Sequence, residues 1–235
     1  LLAMQWVPLG DWGVCNTLLA DLAFSTEVTG GVNVWSSYNA SIEMLQQYEL
    51  GDTIRRNATF FTQGSYYDYI CIADGGYTYT GTAAPIKKGV VGGPDDDNDG
   101  YVQSMNSPLN TYILRLADVY LTYAEACLGN EESLSSGPGL IYFNKVRDRA
   151  KVPTKESITI DDIIRERRVE FCMEYCNWYD MVSWYCWQPE KMLEYFNNQY
   201  RGYTCDVVSK DKQGYLHFGK YDTDGVTLLE GVDNW

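Results

Sequence analysis

A charged helix running into an aromatic cluster, IIRERRVEFCMEYCNWYDMVSW from Ile163 to Trp184, is the stretch that most limits what this chain can fold into. Thr159 followed three residues on by Asp162 resembles a capping box, in which each side chain satisfies an open backbone N–H, so a helix is expected to begin near Asp161. Ile160, Ile163, Ile164, Phe171 and Tyr175 recur at helical spacing and would form its inner side. Arg165, Glu166, Arg167, Arg168, Glu170 and Glu174 fill most of the other positions, so some arginines must lie near the apolar face and need carboxylate partners there. The spacing lets Arg167 reach Glu170 along the helix, and Asp180 just beyond it is a further partner. The expected role is a structural ion network of Arg167, Arg168, Glu170, Glu174 and Asp180, with Trp178 and Trp184 packed against it, rather than catalysis.

A chain of 235 residues can bury one substantial core around such a network. Its net charge of -14 repels phosphate backbones and anionic lipid headgroups, which argues against nucleic acid and polybasic membrane attachment and leaves neutral or cationic ligands. The 20 Tyr and 7 Trp supply flat apolar faces with a polar edge, a chemistry that suits sugar rings and peptide side chains as well as a core. The 7 cysteines contain no Cys-x-x-Cys pair. Cys172 and Cys176 fall four apart on the expected helix, but with one histidine in the chain a zinc site is hard to complete, and buried thiols are expected. No apolar run reaches membrane-spanning length. A secretory leader needs a basic start, whereas the first Lys or Arg is Arg55, and LLAMQWVPLGDWG reads like the interior of a domain; the natural beginning is expected upstream.

In chain order, residues 1–35 are apolar, aromatic and glycine-broken, and read as loops. A short helix is expected from about Ala40 to Glu49, capped by Asn39. From Ala58 to Val91 the segments ATFFT, SYYDYICI and YTYT read as a small antiparallel sheet, with Tyr67 and Tyr69 on one face and Tyr77 and Tyr79 alternating likewise. The loop GGPDDDNDG places Asp95, Asp97 and Asp99 before Gly100, as in the first half of a calcium loop. Its twelfth position is Asn106 rather than Glu and no helix precedes it, so a solvated acidic loop is preferred, with calcium the one possible cofactor. A helix is expected from about Thr111 to Leu128, ended by Gly129, and another to about Ala150; together they make an antiparallel hairpin of tetratricopeptide type. Pro189 opens a last helix to about Gln199, and the tail to Trp235 is polar with short β-like pieces.

Three of these segments, RLADVYLTYAEACLG (115–129), FNKVRDRA (143–150) and the Ile163–Trp184 stretch, resemble in order and spacing the C-terminal signatures of the SusD/RagB family. QWVPLGDWG and GDTIRRNATF are similar to less constrained family segments, so the resemblance covers most of the chain. Asn177 and Ser183 depart from the arginines that the family commonly carries around its Trp-x-Asp-x-x-x-Trp portion, which bears on the local ion network. The resemblance implies a mainly α fold with irregular loops and a small antiparallel β element. Residues 1–235 would then be the C-terminal portion of a SusD-like domain, with 1–110 the ligand side and 111–235 the scaffold. It also implies a surface lipoprotein of the outer membrane that captures glycans, or in some members peptides, and passes them to a SusC-like TonB-dependent transporter. Such a protein is a binder and not an enzyme, and its lipid anchor would lie on a part outside this sequence.

Glycan capture uses aromatic faces stacked on sugar rings together with a few hydrogen-bonding groups. In this family the contacts come from variable loops, which directs attention to Trp6, Trp12, Trp35, Tyr66, Tyr67 and Tyr77, with Asn33, Asn39 and Asp68 as polar partners. A glycoside hydrolase is the competing enzyme reading, since 32 acidic residues would allow two carboxylates to converge, though nothing singles out a pair. His217, the only histidine, gives a His-dependent triad almost no material. A pure interaction scaffold is the third reading.

Overall fold

The computed structural model describes residues 2–11, 13–35, 38–96, 101–103 and 106–198, together with the backbone of three strands beyond them. Strand β1 (Leu2–Met4) pairs antiparallel with β4 (Thr111–Leu114), so more than one hundred residues are closed into a loop-rich first part. The helix expected from Thr111 therefore starts later, as α4 (Leu116–Leu128), after an extended Arg115. Ile113 continues the apolar spacing of the helix, but its neighbours Tyr112 and Leu114 pair with the start of the chain and it falls at the register shift between them.

Inside that loop lie three short helices, α1 (Leu18–Leu22), α2 (Ile42–Gln47) and α3 (Thr53–Thr59), and a hairpin of β2 (Tyr66–Tyr67) with β3 (Tyr77–Thr78). The cap of α2 is Ser41, whose hydroxyl accepts from Met44 N, and not Asn39, which instead bridges to Pro85. The small antiparallel element expected over Ala58–Val91 is the β2–β3 hairpin together with two isolated bridges, and Ala58 and Thr59, expected to open it, instead finish α3. An aromatic cluster of Phe24, Phe61, Tyr67, Tyr77 and Tyr79 holds this part together, with ring centres 5.0 to 6.1 Å from Phe61 for the three tyrosines and Phe24.

The second part is helical. α4 and α5 (Gly137–Ala150) form the expected antiparallel hairpin, with Leu121, Ala124 and Leu128 facing Phe143 and Val146. Gly129 ends α4 with a positive φ of 55°. Helix α6 (Ile160–Glu170) opens on the full capping box, Asp162 N donating to Thr159 Oγ1 and Thr159 N donating to Asp162 Oδ2.

The Ile163–Trp184 stretch is not one helix. It breaks after Glu170 and resumes as α7 (Asn177–Trp187), which contains Asp180, before α8 (Pro189–Asn197). Met173 and Tyr175 in the break are left-handed, with φ of 63° and 66°. Cys172 and Cys176 thus leave the helical spacing that would have brought them together. The six described cysteines are free; Cys15 and Cys172 are buried as expected, Cys127 and Cys186 are exposed. Burial pushes the Cys172 thiol up to about 11.

Trp184 is buried and its indole N–H reaches Glu125 on α4, whereas Trp178, expected beside it, faces outward. Six residues along a helix turn a side chain well away from its predecessor. Strands β5 (Thr204–Lys210), β6 (Leu216–Tyr221) and β7 (Leu228–Val232) form an antiparallel sheet in that order. Among the described residues, no helix is long and apolar enough to cross a membrane.

Candidate functional site

Three extended segments meet at the edge of the aromatic cluster. Ala40 N donates to Ala84 O (2.8 Å) and Ile86 N to Tyr38 O (3.3 Å) on one side of the middle segment. On the other side Phe61 N donates to Pro85 O (2.8 Å) and Lys87 N to Thr59 O (2.9 Å). Pro85 has no N–H to contribute, and its position needs only an acceptor. The chain leading into this unit is fastened further back, where buried Val32 packs on the cluster and Trp35 N donates to Ala20 O (2.9 Å).

Between those ties the loop turns its large side chains outward: Trp35 is 61% exposed and Tyr38 63%. Asn33 and Asn39 are exposed beside them. Trp35 and Tyr38, each with a backbone group bonded to a neighbouring segment, turn their rings to solvent and forgo burial, a disposition that suits a flat, partly apolar ligand. Tyr38 was not singled out from the sequence, although its place three residues after Trp35 and next to Asn39 was visible there.

The other expected contact residues separate by role. Tyr67 and Tyr77 are core, 5% and 9% exposed; the Tyr67 hydroxyl donates to the carbonyls of Asn57 and Phe60, and burial raises the pKa of both phenols. Tyr77 and Tyr79 are both buried as their alternation suggested, but Tyr69 falls past the end of β2 and is exposed, and the inner face of the hairpin packs on Phe61 and leaves a ligand no access. Trp6 is half-buried and structural, its indole N–H donating to Thr111 Oγ1 (2.9 Å) and its backbone N–H to Asn110 Oδ1, which pins β1 near β4. Tyr66 is exposed, but its hydroxyl donates to Gly75 O (2.8 Å) and its ring lies so close over Gly76 that a Cβ there would come within 2.4 Å of the hydroxyl. Asp68 is exposed. Trp12 lies outside the described residues, as do Asp97 and Asp99 of the acidic loop; Asp95 is exposed. Asp96, between them, serves the loop itself by accepting from Gly93 N and Ile72 N.

The ion network exists, with partners from elsewhere in the chain. Arg167 does not pair along α6 with Glu170 but clamps Asp180 with two N–H groups (2.9 Å each) and Asp118 with another (2.7 Å), tying α6 to α7 and α4. Arg168 makes a two-point pair with Glu43 on α2 at 2.6 and 2.7 Å. Glu170 and Glu174 belong to a larger set in which Glu49, Asp52, Glu166, Glu170 and Glu174 meet Arg55, Lys88, Arg115, Arg147 and Arg149, five negative charges against five positive. A cleft of about 710 Å³ opens over this set between Tyr112, Arg115, Leu116 and Arg149. Its charged walls are largely paired with one another, although Glu170 Oε2 is left without a hydrogen bond, and the ring at its edge is Tyr112, 46% exposed.

Among the described residues, the helices form a scaffold tied by ion pairs, and the irregular loops carry the exposed aromatics Trp35 and Tyr38. Comparison with known proteins identifies the family. The profile of the SusD family matches residues 53–223. A SusD-like protein of Bacteroides ovatus is 78% identical over 233 residues, covering 99% of this chain and 43% of that protein. Two solved structures superpose with TM-scores of 0.91 and 0.89 at 77% and 72% identity, covering 98% and 100% of this chain and 46% and 48% of theirs. The second was determined with a xylogluco-oligosaccharide. A laminarin-binding SusD-like protein, 22% identical with a TM-score of 0.56 over 85% of this chain, shares the fold. The chain belongs to the SusD family, and it spans less than half the length of the relatives it matches most fully.

Proposed function

We propose that this chain supplies part of the capture surface of a cell-surface glycan-binding protein, and that its ligand class is a xyloglucan-type oligosaccharide. The observation that carries the reading is the exposed Trp35 and Tyr38 on a backbone tied at both ends. The 72% identity to a structure determined with a xylogluco-oligosaccharide supports the ligand class. The indole and phenol rings stack on the apolar faces of sugar rings, and Asn33 and Asn39 lie where amides can select hydroxyl orientation. Capture proceeds without turnover, since the carboxylates best placed for acid–base work on α6 are each paired with arginine. In this reading residues 1–110 present the ligand side and 111–235 the scaffold. Delivery to a SusC-like TonB-dependent transporter at the outer membrane follows from the family resemblance.

Calorimetry of the full-length protein with xylogluco-oligosaccharide tests the reading. Trp35→Ala and Tyr38→Ala are each expected to weaken binding at least about fivefold with an unchanged Tm. No reducing sugar should be released. Release of sugar, or wild-type affinity in both variants, would overturn it.

A further inference from the structure

Lys87 lies on the middle extended segment with its own N–H bonded to Thr59 O, one residue past Ile86, whose N–H is bonded to the Tyr38 carbonyl on the opposite side. Its ammonium stands 4.5 Å from the centre of the Tyr69 ring and 5.8 Å from that of Tyr67. Tyr67 is fixed in the core, and Tyr69 meets it edge-on at 6.2 Å while remaining 39% exposed. Burial holds the Lys87 pKa down to about 8, and no described carboxylate offsets that burial. A purely structural position of this kind would be filled better by Met or Leu, which cost nothing to desolvate. What the ammonium gains is a ring face, and what Tyr69 gains is a fixed orientation with one face occupied by a cation. Burial, with a smaller contribution from the adjacent exposed Asp68, raises the Tyr69 phenol to about 12, so the hydroxyl stays a donor.

We propose that Tyr69 is a further sugar-contacting residue beside Trp35 and Tyr38, and that Lys87 is the positioning residue that holds its ring. This rests on the glycan-capture reading above. It extends the platform from the Trp35–Tyr38 loop across the middle segment to the β2–β3 hairpin, so Tyr69 engages ligands long enough to reach it.

The test is calorimetry of the full-length protein with xylogluco-oligosaccharides of increasing length. Tyr69→Ala should weaken the longer ligands roughly three- to tenfold and the shortest little. Lys87→Met should weaken the longer ligands about two- to fivefold, and Lys87→Arg should restore them, because a guanidinium also sits over a ring. Tyr69→Phe, which keeps the ring packing, and a Tm for each variant separate misfolding from lost contact. Wild-type affinity at every length in Tyr69→Ala and Lys87→Met, with Trp35→Ala weakened, would overturn this inference and leave the capture reading standing. A uniform loss at all lengths that tracks a fall in Tm would overturn it in favour of a structural role. If the unsubstituted protein binds no xylogluco-oligosaccharide, the capture reading fails and takes this inference with it.

Discussion

Arg168 on α6 and Glu43 on α2 form a buried two-point ion pair, at 2.6 and 2.7 Å, between residues 125 apart in the chain. The guanidinium also lies 4.4 Å over the ring of Tyr195 on α8, so a single side chain fixes the relation of three helices. Arg168→Ala leaves Glu43 facing the same site without a counter-charge. It is expected to lower unfolding free energy by about 3–5 kcal/mol in denaturant melts of the full-length protein. Ligand affinity of the fraction that stays folded should be unchanged; a stable variant that had lost affinity would place the site in this half of the chain.

Glu174 sits between two left-handed residues, Met173 and Tyr175, and is clamped by Arg115 and Lys88. Its ion pairs offset backbone strain of about 1–3 kcal/mol per residue. Glu174→Ala should therefore destabilise by about 3 kcal/mol or more. Tyr175→Gly, which removes the Cβ from a φ of 66° at an exposed position, should be neutral or stabilising by up to about 1 kcal/mol. Thermal melts of the two variants side by side decide whether the strain is real.

Acid sensitivity follows from two depressed carboxyls. Hydrogen bonds from Arg147 hold Glu49 below its ordinary 4.5, against burial. Burial acts to raise Asp162, but bonds from Lys155 and Thr159 outweigh it and bring the group below 3.8. A carboxyl depressed in the fold stabilises the native state above its unfolded pKa and loses that contribution as pH falls through the folded value. Stability should hold from neutrality down to about 4.5 and decline below it, and Glu49→Gln should flatten the decline. An unchanged profile in that variant would exclude Glu49.

Core and platform aromatics should separate cleanly. Phe61, fully buried among four rings, is expected to cost about 3–5 kcal/mol when truncated to Ala. Trp35→Ala should leave the melting curve where it is. Equal losses in both would make Trp35 part of the core.

Calcium is expected to give no saturable heat up to millimolar concentration. The twelfth position of the acidic loop, Asn106, is joined to Gln103 through two backbone hydrogen bonds, and its amide reaches Gly10 O. A calcium loop would need a two-oxygen carboxylate there. Binding that Asp95→Asn abolishes would reverse this.

Signals confined to one helix or to two neighbours in the chain were legible in the sequence: the Thr159–Asp162 cap, the Gly129 stop, the α4–α5 hairpin and Pro189 at the start of α8. What depends on distant partners was not. Thr111–Leu114 is a strand only because Leu2–Met4 lies alongside it. The charges of α6 were plain, yet Arg55, Arg115, Arg147 and Glu43, which complete them, gave no local sign of their role. Tyr67 and Trp35 are both aromatics in glycine-punctuated sequence, and only packing on Phe61 tells the buried one from the exposed one.

The long reach of the ion pairs also bears on time. Arg55 finds Glu166 across 111 residues and Arg147 finds Glu49 across 98, so these pairs close only after the intervening chain has been gathered. Interactions that form late in folding are the ones that must break early in unfolding, and they set the escape rate from the native state more than the rate of reaching it. The network is thus a latch against slow opening, and what its pairs contribute is lifetime of the native state rather than speed of folding.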